Sequence, residues 1–232
     1  MIASRLKVVQ DRISDACLAA HRDPSAVRLL AVSKTFGADA VLQAIAAGQK
    51  AFGENYIAEG VEKITALREC PGLEWHCIGP IQSNKTRLVA EHFDWVQSVD
   101  RLKIAQRLSE QRPAHLAPLQ ICLQVNVDGG ANKSGVAPAE LMALAHAVIE
   151  LPNLKLRGLM TIPEPAIDFE AARALHLGAR ALFDALNQSE IRQNPRFEAM
   201  DTLSVGMSAD IEAAVAAGST LVRVGTAIFG GR

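Results

Sequence analysis

Along this chain the apolar residues fall into two rhythms that take turns. Ile2, Leu6, Val9, Ile13 and Cys17 recur every three or four residues and predict an amphipathic helix that stops by Asp23-Pro24. A compact apolar run over 28–35, ending on Lys34-Thr35, predicts a strand. The stretch 39–47 then predicts a helix with Val41, Leu42 and Ile45 on one face and Gly48 as its stop. Strand-like runs recur at 51–55, 73–79, 95–99, 119–126, 154–160, 202–205 and 221–226. Helical spacing fills the gaps at 57–67, 83–92, 138–150 (with Pro138 in its first turn) and 169–186. Two more helices carry expected caps: one begins at Asp100 and ends before Pro113, and one spans 209–217 behind Ser208.

Eight strand–helix units in 232 residues predict an α/β fold, a (β/α)8 TIM-type barrel with an extra N-terminal helix, forming a single domain over 1–232. An open doubly wound sheet is the competing fold. It would carry its phosphate glycines after the first strand, where this chain has Lys34-Thr35-Phe36-Gly37 and no G-x-G-x-x-G. Little chain follows the last strand, so the amino-terminal helix is expected to cover that part of the barrel wall.

Composition narrows the function classes. The chain is 49% hydrophobic but only 4% aromatic, which fits aliphatic helices packed on a parallel sheet. Its 24 basic and 25 acidic residues are dispersed, with no basic block to neutralise phosphates, so no nucleic-acid partner is expected. The cysteines, Cys17, Cys70, Cys77 and Cys122, are far apart, which argues against a metal site and a disulfide framework. Arg5, Lys7, Gln10, Asp11 and Arg12 break the apolar character of the amino terminus, and no run approaches the roughly 20 apolar residues of a membrane span. A cytoplasmic protein without membrane attachment is expected.

The candidate chemistry gathers at the carboxyl ends of the strands, the active face of a barrel. Lysine is out of place at the end of a buried strand, because its ammonium must reach water or a partner. Strand alternation puts Lys34 on a face with Leu30 and Val32, and Arg223 on a face with Leu221 and Gly225. Barrel closure makes these strands neighbours, so the two cations would line one mouth. Barrels often bind phosphate with the seventh and eighth loops, and here those loops offer Ser204, Gly206 and Ser208, then Gly225 and Thr226. Phosphate loops, a strand-end lysine and an adjoining arginine point to pyridoxal 5'-phosphate, with a Schiff base on Lys34 and Arg223 facing the pyridine nitrogen. Elsewhere, His76 is expected to bond a loop carbonyl, and Glu54 either pairs with a cation or faces outward. His92, His115 and His176 are expected at the surface, Trp75 and Trp95 in packing, and Lys133 solvated.

Several stretches resemble the pyridoxal phosphate homeostasis proteins (the YggS/PROSC family), related to the alanine racemase barrel domain. They are Ala31-Val32-Ser33-Lys34-Thr35, Phe52-Gly53-Glu54-Asn55-Tyr56 and His76-Cys77-Ile78-Gly79-Pro80-Ile81-Gln82-Ser83-Asn84-Lys85. Gly158-Leu159-Met160-Thr161, Leu203-Ser204-Val205-Gly206-Met207-Ser208 and Val222-Arg223-Val224-Gly225-Thr226-Ala227-Ile228-Phe229-Gly230 complete the set. The resemblance implies that Lys34 carries the cofactor, that Ser204, Ser208, Gly225 and Thr226 hold its phosphate, and that Arg223 faces the pyridine nitrogen with Asn55 nearby. Two departures stand out: Gly130 replaces the family's usual glutamate after the fifth strand, and Ile81 replaces a usual leucine. The implied role is cofactor homeostasis without a settled catalytic activity; a monomer with no catalytic residue, delivering cofactor to apo-enzymes, is expected.

The alternative is an amino-acid racemase of alanine-racemase type. Racemisation needs acid–base groups on both faces of the substrate, and Lys34 supplies one. Alanine-racemase-like enzymes bring the second, a tyrosine, from another domain, whereas this chain is expected to end with the barrel and has one tyrosine, Tyr56.

Overall fold

Alternation along each apolar run decides which residues enter the barrel and which meet the helices. In the computed structural model, which describes residues 1–129, 134–198 and 200–231, the runs become eight parallel strands. They are β1 (Arg28–Val32), β2 (Ala51–Glu54), β3 (Glu74–Cys77), β4 (Trp95–Val99), β5 (Leu119–Gln124), β6 (Leu154–Met160), β7 (Thr202–Ser204) and β8 (Leu221–Val224). They pair in chain order and close into a barrel, with Arg28 beside Leu221 and Leu30 beside Arg223. The fold is the expected TIM-type α/β barrel. Several strands stop short of the predicted ends: β1 ends at Val32, so Lys34 lies in the turn beyond it.

The helices are α1 (Ile2–Ala19), α2 (Ala38–Ala46), α3 (Ile57–Ala66), α4 (Thr86–His92), α5 (Leu102–Gln111), α6 (Leu141–Ile149), α7 (Phe169–Gln188), α8 (Ile211–Ala216) and α9 (Thr226–Phe229). The large core lies between this helical layer and the outer strand faces. The extra helix α1 buries Ile2, Leu6, Val9, Ile13 and Cys17 and packs on α2, α8 and α9, closing the wall behind β8. Each such aliphatic side chain taken fully out of water contributes about 2 kcal/mol. Among the described residues, no helix is long and apolar enough to cross a membrane.

Two small apolar clusters occupy the lumen, Leu30, Val32, Ala51, Ile78 and Leu221 on one side and Trp95, Cys122 and Met160 on the other. The second depends on a bulge. Pairing jumps from Ile121–Leu156 to Cys122–Gly158, so β6 carries one extra residue and its alternation resets. Arg157 thereby turns over the Trp95 ring at 4.8 Å, while Met160 still enters the lumen.

Both expected helix caps are corrected. Arg101, not Asp100, precedes α5, and Asp100 instead accepts from the Arg101 guanidinium. Helix α8 begins after Asp210, so Ser208 lies in the preceding turn. His176 is buried rather than at the surface, because it faces Asp210 at 2.8 Å.

Candidate functional site

Lys34 owes its place to a charge cluster on the far side of its turn. Lys63, at 4% exposure, donates to the Ser33 carbonyl at 2.7 Å and pairs with Glu54 at 2.7 Å and Glu59 at 2.6 Å. The Ser33 hydroxyl donates to Glu54 at 2.6 Å, and Glu59 accepts the Thr35 N–H at 2.5 Å. Both neighbours of Lys34 are held outward, which leaves Lys34 to the barrel mouth. Thr35 pays for the turn with a φ of 68°, left-handed backbone that a β-branched residue rarely adopts. Burial pushes the Glu54 carboxyl upward against the pull of Lys63 and Ser33. Glu54 therefore takes the paired option of the two left open by the sequence, buried against α3.

Phe36 continues the turn and stacks on Phe229 of α9, with ring centroids 5.3 Å apart. This contact couples the Lys34 turn to the loop after β8. In that loop, a Cβ on Gly225 would stand 3.0 Å from the Val32 carbonyl, so glycine lets the loop lie against the end of β1. The loop after β7 is held from three sides. Asp210 accepts the Met207 N–H at 2.7 Å, His176 fixes Asp210, and Arg12 donates to the Ser208 carbonyl at 2.7 Å.

These elements enclose a cavity of about 540 Å³ lined by Lys34, Asn55, Ser208, Arg223, Gly225 and Thr226. The residues come from β8 and from the turns after β1, β2, β7 and β8, and the barrel brings them to one mouth. Lys34 makes no hydrogen bond or ion pair among the described residues. Asn55 Oδ1 is buried without a protein partner at the wall of this cavity. Ile78, Ile162 and Met207 add an apolar lining that polar-residue reasoning overlooked. Strand-end position was the available signal for the first two, and the Gly206–Ser208 loop for the third.

Ser204 departs from its expected role. It is fully buried beneath the cavity, donates to Gln97 Oε1 at 2.6 Å and accepts from Arg223 at 2.8 Å. Arg223 also donates to the carbonyls of Ser204 at 2.6 Å and Thr161 at 2.8 Å. Burial lowers its guanidinium pKa to about 10, so it remains a cation at neutral pH. His76 bonds the Glu74 carboxylate and Gln97, both at 2.8 Å, instead of a loop carbonyl. The remaining expectations concern packing and exposure. Trp75 packs on Phe52 and Trp95 stacks on His76, while His115 is exposed and His92 is half-buried over the Leu88 carbonyl.

Buried Cys77 and Cys122 have thiol pKa values near 12, which makes them poor nucleophiles. Among the described residues no cluster of His, Cys, Asp or Glu is placed to hold a metal ion.

The family model of the alanine racemase N-terminal domain matches residues 12–232. A pyridoxal phosphate homeostasis protein of Pseudomonas aeruginosa is 58% identical over 231 residues, covering 100% of this chain and 96% of the relative. The chain belongs to the pyridoxal phosphate homeostasis protein family. PipY of Synechococcus elongatus, a structural relative solved with PLP bound, superposes with a TM-score of 0.82 at 38% identity, covering 99% of this chain and 100% of PipY. Alanine racemase of Clostridium difficile shares the barrel alone, with a TM-score of 0.71 at 15% identity over 96% of this chain and 56% of the racemase. Within the family, the loop after β5 draws interest through Gly130 and Lys133, which lie outside the described residues.

Proposed function

We propose that this chain binds pyridoxal 5'-phosphate as a Schiff base on Lys34 and serves intracellular homeostasis and delivery of that cofactor without robust catalysis. The observation that carries the reading is the single cavity shared by unpartnered Lys34, Asn55, Arg223 and the two glycine-bearing loops. When bound, the cofactor supplies an aldehyde for the amine and an electron-drawing ring. Lys34 provides the amine, and Ser208, Gly225 and Thr226 receive the phosphate. Arg223 faces the ring nitrogen, and its charge there disfavours protonation of that nitrogen. Ser204 acts beneath them by holding Arg223. The whole chain, 1–232, works as one cofactor-binding domain, monomeric and cytoplasmic, and passes cofactor to apo-enzymes that need it.

The racemase reading keeps support from the shared barrel and from Lys34. Against it stands Tyr56, the one tyrosine, which is 55% exposed at the start of α3 and does not line the cavity. Titrating purified protein with pyridoxal phosphate, followed by borohydride reduction and peptide mass spectrometry, tests the assignment. The adduct is expected on Lys34 and absent in Lys34→Ala. The same major adduct peptide in both proteins would overturn it.

A further inference from the structure

A chain of hydrogen bonds crosses the barrel lumen beneath the cavity, and the placement of the Gln97 amide oxygen toward Ser204 sets its direction. Arginine has only donors, so Ser204 Oγ must accept from Arg223 Nη1 and give its own hydrogen to Gln97 Oε1. With its oxygen engaged there, Gln97 presents Nε2 as a donor to His76 Nδ1 at 2.8 Å. That ring nitrogen is therefore unprotonated, and the ring hydrogen sits on Nε2, facing Glu74 Oε1 at 2.8 Å. Glu74 closes the chain by also accepting from Arg28 at the opposite end of the barrel.

Ser204, Gln97 and His76 are fully buried and Arg223 is 4% exposed, so bulk water does not compete for these bonds. Trp95 stacks on His76 at 5.0 Å with an interplanar angle of 11°, which fixes the plane in which both ring nitrogens point. The guanidinium at the end of the chain touches no carboxylate among the described residues. Its contacts are two carbonyls and the Ser204 hydroxyl.

We propose that Gln97 and His76 are positioning residues: through Ser204 they set the orientation of Arg223 toward the cofactor's ring. This rests on the binding role proposed above for Arg223. Gln97 bridges β4 to β7 across the lumen, and no other side chain among the described residues bonds the Ser204 hydroxyl besides Arg223 itself. Loss of that bridge frees the hydroxyl to rotate, so the oxygen that accepts from Arg223 is no longer held in one orientation.

Two measurements test the proposal. The first is the ring ¹⁵N spectrum of histidine-labelled protein without ligand at neutral pH, with His76 assigned by a His76→Gln variant. The neutral Nε2–H tautomer is expected, and the Nδ1–H tautomer or an imidazolium would overturn the chain. The second compares parent and Gln97→Met protein for pyridoxal 5'-phosphate affinity and for the absorption band of the bound cofactor. At least tenfold weaker binding and a shifted band are expected, and an unchanged affinity and band would overturn the positioning role. Should Gln97→Met fail to fold, Gln97→Glu serves instead. At a pH where the new carboxyl is ionised it has no hydrogen to offer Nδ1, so the His76 signals and the cofactor band must both move, and parent-like signals and band would count against the proposal. A parent protein that takes up no pyridoxal phosphate would overturn it through the binding reading, while the tautomer result stands by itself.

Discussion

Lys63 Nζ lies 2.7 Å from the Ser33 carbonyl, one residue before Lys34. The helix after β2 thus holds the turn after β1, and a buried ammonium keeps the exposed side of that turn in register. The same ammonium neutralises Glu54, which has no exposed surface and one oxygen without a partner.

Lys63→Met should therefore be costly. Removing one member of a buried pair leaves the other charge uncompensated, at about 3–5 kcal/mol. Urea unfolding of the ligand-free protein should show this drop, and the double variant Lys63→Met/Glu54→Gln should recover part of it. A single variant as stable as the parent would show that the cluster does not hold the turn.

Thr226 opens α9 at the cavity edge and is exposed. Thr226→Val keeps the shape and removes a donor. If the hydroxyl holds phosphate, affinity should fall by about 1–3 kcal/mol, or roughly fivefold to 150-fold, while the ligand-free unfolding midpoint stays put. Equal affinity in a spectroscopic titration would remove Thr226 from the phosphate site.

Acid should weaken the fold through Glu74. Burial alone would raise its carboxyl, but the hydrogen bond from the His76 ring and the charge and hydrogen bond of Arg28 hold it below its ordinary 4.5. The unfolded chain therefore takes up this proton first. Stability present above pH 4.5 is lost as pH falls below it through this group. His76 acts in the same sense, since burial lowers its pKa and the neutral ring must charge on unfolding in acid. Glu74→Gln should flatten the acid limb of a stability–pH curve measured by urea unfolding. A limb as steep as the parent's would assign the acid loss elsewhere.

The non-catalytic reading predicts little α-proton exchange when cofactor-loaded protein is incubated with L-alanine in deuterated water and followed by NMR. Rapid exchange with inversion, abolished in both Lys34→Ala and Tyr56→Phe, would restore the racemase.

The strand–helix rhythm, the barrel and the concentration of Lys34, Asn55, Ser208, Arg223, Gly225 and Thr226 at one mouth were legible in the chain. Local periodicity sets which elements form, and alternation sets which face each side chain takes. The physics behind the misjudged residues is different in kind. Ser204 meets Gln97, 107 residues away, and His176 meets Asp210 across 34, so neither partnership has a local signature. Alternation says that Gln97 and Ser204 face the lumen, but not that they meet there. Closure, register and the bulge at Arg157-Gly158 decide that. The amino-acid sequence by itself determined the barrel and the mouth at which the candidate residues gather. Tertiary structure alone decided how Lys63 holds the Lys34 turn and what Ser204 serves, because a buried polar group takes its role from whichever partner satisfies it.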